Sequence, residues 1–194
     1  MADPICRWRN PYVPTVIELI DLLPKEELLR TQARKIVEQR SPYEFYRTPY
    51  QLACQLGLYH ETNGCYFPKF TFNPTEVEVK NYLTNWIIHY CVPNPYTNGF
   101  ENIVPFSIHA EICRKLYESK NPIDWKMVKL DIFKQDIGNI DILINSINTY
   151  SPIISISKKN GTVELIDNKN YEDLIPYINV DICNDRNNKE YFFD

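Results

Sequence analysis

The sequence has few glycines, and this scarcity excludes the common phosphate-binding loops. Only five glycines occur in 194 residues. Neither GxxxxGK[ST] nor GxGxxG can be written from them, and both nucleotide-binding motifs need closely spaced glycines. The GxSxG elbow that carries the nucleophile of many hydrolases is missing as well. We therefore predict no catalytic residues and no cofactor.

Long hydrophobic runs are also missing. A membrane-spanning helix needs about 18 or more consecutive apolar residues, and no such stretch occurs, so we expect no membrane partner. Four residues break the apolar run of the N-terminal segment: Pro11, Pro14, Glu18 and Asp21. We therefore expect no signal peptide. Six cysteines without an export signal predict reduced thiols and a cytoplasmic location.

The cysteines and histidines match no common metal-binding spacing. Five of them lie near enough in sequence to be considered as zinc ligands: Cys54, His60, Cys65, His89 and Cys91. Structural zinc sites are usually built on CxxC pairs, and the sequence contains none. We therefore predict no metal site, and leave open whether these side chains converge.

One nuclease pattern is present only in part. A restriction-type nuclease needs an acidic residue followed, one strand later, by Asp/Glu-x-Lys, so that a metal ion is held beside a lysine. Asp141 and Glu164 have the nearest arrangement, but Leu165 and Ile166 follow Glu164 where a lysine is required. A metal-dependent nuclease, or another enzyme with a degenerate motif, is the weakest of three functional hypotheses.

The composition is that of a globular protein enriched in aromatic residues. Hydrophobic residues make up 44% of the chain and charged residues 24%, which places it outside the disordered class. Tyrosine (14) outnumbers phenylalanine (9), and tyrosine suits half-buried positions and interfaces. The net charge is −4, but six of the eight arginines precede residue 50. If phosphate is bound, we expect the first half to bind it.

The first half has the order of elements that is typical of a winged-helix unit. Apolar spacing predicts a helix over 16–23, a second from Pro24 or Lys25, and a third that starts at Thr48-Pro49. Asn63-Gly64 then predicts a hairpin, with its second strand restricted to a sheet edge by Pro68. A long amphipathic helix over 75–91 follows, and its apolar arc is wide enough to suggest burial on more than one side.

The second half predicts helices and one further hairpin, without any internal repeat. Helices are expected over 107–119 and from Asn121-Pro122 onward, and residues 140–150 fit helical spacing better than strand spacing. Asn160-Gly161 marks a hairpin, and a short helix is expected over 171–177. The predicted fold class is α+β and predominantly α-helical. A winged-helix-like lobe (1–92) precedes a smaller helical lobe with a β-hairpin (93–183) and a tail (184–194).

Without a catalytic signature, binding is the leading function. We expect a non-catalytic subunit or adaptor of a bacterial multiprotein complex, with a role in DNA handling or in antiviral defence against phage. It would bind other protein subunits through outward aromatic and amide side chains. The candidate partner-binding residues are Trp8, Gln51, Gln55, Tyr59, Trp86 and Tyr96.

The alternative is a winged-helix protein that binds double-stranded DNA. Its phosphate contacts would come from cations of the first half, namely Arg30, Arg34, Arg40, Arg47 and Lys69. The exposed residues of the third helix would be Gln51, Gln55 and Tyr59. Glutamine can read adenine through two hydrogen bonds, although a recognition helix without cations is a poor DNA binder.

Overall fold

A computed structural model describes residues 11–41, 47–94, 104–133, 141–157 and 159–182. About 53% of the residues are helical, and the described parts include three small antiparallel sheets. This confirms the prediction of an α+β, predominantly helical chain. None of the helices in these ranges combines the length and the apolarity needed to cross a membrane.

The described chain divides into two compact units. The N-terminal unit comprises residues 11–83 and the C-terminal unit residues 84–182, so the division falls inside one long helix, α4 (Glu76–His89). This division precedes the lobe boundary that we expected after Val92.

The N-terminal unit contains three helices and a three-stranded sheet before α4 begins. These elements are α1 (Val13–Leu22), β1 (Leu28–Leu29), α2 (Arg30–Arg40), α3 (Arg47–Gln55), β2 (Tyr59–Thr62) and β3 (Cys65–Pro68). The strands are antiparallel and lie in the order β1-β3-β2. The core is formed by apolar side chains from every helix and from the sheet: Val16, Ile20, Ala33, Val37, Ala53, Leu56, Tyr66, Val79 and Leu83.

The C-terminal unit begins with the end of α4 and a two-stranded sheet. The elements are β4 (Cys91–Val92), β5 (Phe106–Ser107), α5 (Ile108–Ser119), β6 (Ile123–Asp124), α6 (Trp125–Phe133), α7 (Asp141–Tyr150), β7 (Ile154–Ser157), β8 (Thr162–Leu165) and α8 (Ile175–Ile178). A 3-10 turn over Tyr171–Leu174 leads into α8. Strands β6, β7 and β8 form an antiparallel sheet in the order β6-β8-β7.

The two units share one order of elements. In each, a helix is followed by a two-residue strand, two further helices and a hairpin, and the short strand pairs with the second hairpin strand. The residue that begins the second helix also makes the same hydrogen bond. The N–H of Arg30 donates to the Gly64 carbonyl oxygen (2.9 Å), and that of Trp125 donates to the Gly161 carbonyl oxygen (2.8 Å). The repeat is therefore one of architecture, which residue identities did not reveal.

Both hairpins were correctly predicted from their turn residues. Gly64 (φ +80°) and Gly161 (φ +67°) have left-handed backbones, which a side chain disfavours. Asn63 (φ 52°) is left-handed as well, and this suits a two-residue hairpin turn. The predicted helices corresponding to α1, α4, α5 and α7 are also present, with ends displaced by a few residues.

Two predicted helix starts were wrong, at matching places. The second helix was expected from Pro24 or Lys25, but residues 28–29 form β1 and α2 begins at Arg30. Likewise, the helix expected from Asn121-Pro122 begins only at Trp125, after β6. In both places pairing with the hairpin competes successfully with helix propensity, which is a weak determinant on its own.

The prediction that Pro68 places its strand at a sheet edge was also wrong. Strand β3 is the central strand of its sheet. Proline is accommodated because β1 is so short: it pairs with Cys65 and Tyr66, whereas Pro68 is opposite Tyr59 of β2 alone. A missing N–H at the end of the strand therefore interrupts no ladder on the β1 side.

Candidate nucleic-acid interface

The start of α2 and the β2–β3 hairpin bring two of the predicted phosphate-binding arginines together. Arg30 is the first residue of α2 and is held beside the hairpin turn by its backbone hydrogen bond to Gly64. Arg34 lies one turn further along the helix. Their side chains are 49% and 43% exposed, so both guanidinium groups are accessible to solvent.

Both arginines face a carboxylate that the sequence analysis did not single out. The Nη2 atom of Arg34 donates to both carboxylate oxygens of Glu61 on β2, at 3.0 Å and 3.3 Å. The Nη1 atom of Arg30 lies 3.9 Å from Glu61 Oε2. The Tyr50 hydroxyl on α3 donates to Glu61 Oε1 at 2.7 Å. Glu61 thus links α2, α3 and the hairpin; we call these four residues the Glu61 cluster.

The protonation states in the Glu61 cluster follow from burial and from the carboxylate. Burial alone would lower the pKa of Arg34, but the charge and hydrogen bonds of Glu61 outweigh it, and the pKa is raised. Burial, and then the hydrogen bond to Glu61, raise the pKa of Tyr50, which stays a neutral donor. With an ionised carboxylate, the cluster carries two positive charges and one negative charge at neutral pH, a net excess of one cation.

Tyrosines beneath the cluster attach the hairpin to α3. The ring centroids of Tyr50 and Tyr59 are 4.5 Å apart, and those of Tyr59 and Tyr66 are 5.0 Å apart. The Tyr59 hydroxyl donates to the Tyr50 carbonyl oxygen (2.9 Å), and the Tyr66 hydroxyl donates to the Pro24 carbonyl oxygen (2.9 Å). The hairpin is therefore held by aromatic packing and by satisfied hydroxyl groups.

Tyr59 was expected on the exposed face of the third helix, and this prediction was wrong. It is only 3% exposed and belongs to β2. Helix α3 ends at Gln55, and Gly57 (φ 70°) redirects the chain, so the helical phase that placed Tyr59 beside Gln51 and Gln55 does not continue. An accessible role in partner binding is thereby removed for Tyr59 in this fold.

The outward side of α3 carries side-chain amides. Gln51 is exposed and Gln55 is half-buried. Arg47 is the first residue of α3, but its side chain lies outside the described part of the structure. These glutamines therefore stay candidates for contact with a partner or with DNA.

The other predicted contact residues are dispersed. Arg40, exposed at the C-terminal end of α2, donates to the Leu23 carbonyl oxygen at 3.3 Å, and Lys69 is half-buried just after β3. Trp86 on α4 is 3% exposed and its ring packs on Tyr90 at 4.9 Å, so the chain itself covers it. Its contact with a partner stays a prediction. Trp8 and Tyr96 lie outside the described residues.

The cysteines and histidines considered for zinc have other surroundings. His60 stacks on Phe67 (4.8 Å between ring centroids), and His89 Nδ1 lies 2.8 Å from the Asn85 carbonyl oxygen. Cys54 and Cys65 are half-buried, and Cys91 is buried. Within the ranges that the structure describes, no group of three or more His, Cys, Asp or Glu side chains is placed to hold a metal ion.

A further buried polar pair lies in the C-terminal unit. His109 Nε2 is 2.9 Å from Ser151 Oγ, and its Nδ1 is 3.7 Å from Cys113 Sγ. Ser151 Oγ also accepts from the N–H of Ile154 at 3.1 Å. Burial, with a smaller effect from His89, lowers the pKa of His109 to about 4, and burial raises the pKa of the Cys113 thiol to about 12. The Ser151 oxygen accepts a backbone N–H and the Cys113 thiol stays protonated, so this group stabilises the fold and neither side chain is activated as a nucleophile.

No family model, no curated protein and no solved structure matches this chain.

Proposed function

We propose that the N-terminal unit is a winged-helix module and that the protein binds duplex DNA through it. The observation that supports this proposal is the order α1-β1-α2-α3-β2-β3 with the sheet order β1-β3-β2. In helix-turn-helix proteins, the second of two consecutive helices enters the major groove. Here that helix is α3, and the β2–β3 hairpin is the wing.

Positive charge is concentrated in one segment of this unit. Residues 28–72 contain six cations, Arg30, Arg34, Lys35, Arg40, Arg47 and Lys69, and three acids, Glu38, Glu44 and Glu61. Residues 11–27 contain the opposite excess, with Lys25 alone against Glu18, Asp21, Glu26 and Glu27. The segment that includes α2, α3 and the hairpin thus has a net positive charge, which phosphate contact requires.

Base contacts would come from α3. Gln51 is exposed on that helix, and a glutamine amide forms two hydrogen bonds with the N6 and N7 atoms of adenine in the major groove. Arg30 and Arg40, at the two ends of α2, would contact phosphates. The module would thus combine nonspecific attraction through arginine with sequence preference through an amide.

The salt dependence of DNA binding tests this function. A fluorescently labelled duplex is titrated with the full chain over a series of salt concentrations, and log K is plotted against log salt. The slope should be about −0.9 for each phosphate neutralised, so the combined substitution Arg30→Ala and Arg40→Ala should reduce it by about two such steps. Lys80→Ala, on the exposed side of α4, is the matched control and should leave the slope unchanged. Absence of binding at low salt would overturn the proposal.

A second proposal is that the chain is a protein-binding subunit. It draws on large hydrophobic side chains of the N-terminal unit that are more than half exposed, which include Leu29, Phe72 and Val77. Such side chains are common singly, so this proposal is weaker. It gains if the chain binds no duplex at low salt and also forms a stable complex with a defined protein, a complex that Phe72→Ser and Val77→Ser weaken.

A further inference from the structure

The C-terminal unit repeats the features on which the DNA-binding proposal rests. Its two-residue strand β6 pairs with β8 as β1 pairs with β3, with Ile123 opposite Val163 and Leu28 opposite Tyr66. The second helix of each unit starts at the residue that follows the short strand, and the same backbone hydrogen bond joins this residue to the hairpin glycine. The two hairpins therefore lie in the same relation to the helix that follows the short strand.

The third helix of the C-terminal unit also carries an amide at the matching position. Gln51 directly follows the buried Tyr50 and lies five positions before the buried Leu56, and Asn145 has the same spacing from the buried Ile144 and Tyr150. Two positions later in each helix lies a buried residue, Ala53 or Ile147, so the two amides have the same phase relative to the core. Asn145 is half-buried, and asparagine forms the same pair of hydrogen bonds with adenine as glutamine does.

A neighbouring amide fixes the orientation of α7. The Oδ1 atom of Asn148 accepts a hydrogen bond from the N–H of Ile156 on β7, at 2.8 Å. Asn148 therefore ties α7 to the hairpin, as the Glu61 cluster ties α3 to its own. Because Asn148 makes this hydrogen bond, Asn145 is the α7 amide whose position on the helix corresponds to that of Gln51 on α3.

The cations of the two units lie at different places. In the N-terminal unit the hairpin turn is the uncharged Asn63-Gly64, and the arginines lie on α2. In the C-terminal unit the exposed Lys159 lies in the hairpin turn itself, next to Asn160-Gly161. A cation at a hairpin tip is placed to contact phosphates beside the groove that the third helix enters.

We propose that the C-terminal unit is a second DNA-binding module, in which Asn145 contacts a base and Lys159 a phosphate. The ligand is then a bipartite duplex with one segment for each unit, and adenine is expected in both segments. This inference rests on the proposed function of the N-terminal unit. Because the two modules are in one chain, binding of one raises the effective concentration of the other, so loss of either weakens the whole complex.

Selection and footprinting with the full chain test the inference. A duplex selected by the full chain from a random-sequence library is labelled, and hydroxyl-radical footprints and affinities are measured for four proteins. These are the unsubstituted chain, the C-terminal pair Asn145→Ala with Lys159→Ala, the N-terminal pair Gln51→Ala with Arg30→Ala, and the control Lys169→Ala. Lys169 is exposed after β8, and its substitution removes the same charge as Lys159→Ala.

The unsubstituted chain should protect two tracts. Each pair of substitutions should remove one tract and weaken binding at least about fivefold, the lower end of what one bidentate base contact contributes, while Lys169→Ala changes neither. If the C-terminal pair leaves the footprint and the affinity intact while the N-terminal pair weakens them, this inference fails and the proposed function stands. If only the C-terminal pair has an effect, or if no duplex is bound, the proposed function fails and the bipartite ligand fails with it.

Discussion

The two units reach the same arrangement with different chemistry at the centre. In the N-terminal unit, Glu61 on the first hairpin strand binds Arg34 and Tyr50, and so joins a charged group to α3. In the C-terminal unit the matching strand contributes buried isoleucines, Ile154 and Ile156, and an amide makes the connection instead. What the units share is the short strand, the helix that starts directly after it and the hairpin glycine.

The contrast separates the features that specify the arrangement from those that can vary. The backbone hydrogen bond from Arg30 or Trp125 to the hairpin glycine depends on backbone geometry and not on side-chain type. The side chains between the third helix and the hairpin can therefore differ between the two units. In the N-terminal unit that freedom is used to place two arginines at the surface, at 49% and 43% exposure.

The largest expected effect comes from truncating a buried side chain on, or directly after, the third helix of each unit. Leu56, just after α3, and Ile147, on α7, are 1% and 0% exposed. Because their burial is equal, Leu56→Ala and Ile147→Ala should each lower the free energy of unfolding by about 2–5 kcal/mol. Urea denaturation followed by far-UV circular dichroism measures this loss. Leu56→Met, which conserves volume, should cost less than about 1.5 kcal/mol; an equal cost for Ala and Met would contradict the packing described.

The second prediction concerns His109, a buried histidine of the C-terminal unit. His109 is held neutral, with its pKa lowered to about 4, whereas an unfolded histidine titrates near 6.5. Between these values the unfolded chain binds the extra proton, so stability is complete above about pH 6.5 and decreases as the pH falls toward 4. The full loss is about 3 kcal/mol, at 1.36 kcal/mol for each pKa unit.

Urea denaturation between pH 7 and 5 measures this dependence, since most carboxylates titrate below about pH 5. His109→Gln should remove most of the slope, whatever it does to stability at pH 7. His60→Gln, in the N-terminal unit, is the control and should leave the slope due to His109 in place. A slope that survives in the His109→Gln chain would show that another group is responsible.

The hairpin glycines allow a direct test of equivalence. Gly64 and Gly161 have φ values of +80° and +67°, and a Cβ atom on either would meet nothing within 4 Å. The cost of Gly64→Ala and of Gly161→Ala is therefore backbone strain alone, about 1–2 kcal/mol, and should be similar in the two units. Asparagine tolerates this conformation, so Gly→Asn should cost less at both positions. A large difference between the two alanine variants in thermal unfolding would show that the backbone strain at the two hairpin glycines is unequal.

The features predicted correctly from sequence are those with a local cause. Asn63, Gly64 and Gly161 have left-handed backbones, and the apolar spacing over 140–150, which fits a helix better than a strand, predicted α7 without help from the rest of the chain. The two-residue strands β1 and β6 were missed because two residues show no alternation. They become strands only by pairing with hairpins that come later in the chain. Both wrong helix starts have this one cause.

The candidate site was predicted in part for the same reason. Arginine enrichment in the first half drew attention to Arg30 and Arg34, but their partner Glu61 lies 27 residues beyond Arg34. One sequence signal could have found it, because Glu61 is the only acid between Leu58 and Phe70. The architectural repeat stayed hidden because matching positions hold unlike residues, Arg30 and Trp125 or Tyr66 and Val163.

The smallest expected effect concerns the Glu61 cluster, which has no charged counterpart in the matching strand of the C-terminal unit. If Arg30 and Arg34 contact phosphate, the Glu61 carboxylate competes with the DNA for them. Two unit charges about 4 Å apart interact by about 1 kcal/mol in water, so Glu61→Gln should increase the affinity for duplex DNA about fivefold, while the amide can still accept from Tyr50. The cost to folding should be at most about 1 kcal/mol, since both arginine side chains are close to half exposed. Glu18→Gln, exposed on α1, changes the net charge equally and is the control in the same anisotropy titration. If Glu61→Gln instead weakens DNA binding while Glu18→Gln does not, the carboxylate orients the arginines toward the phosphates rather than restraining them.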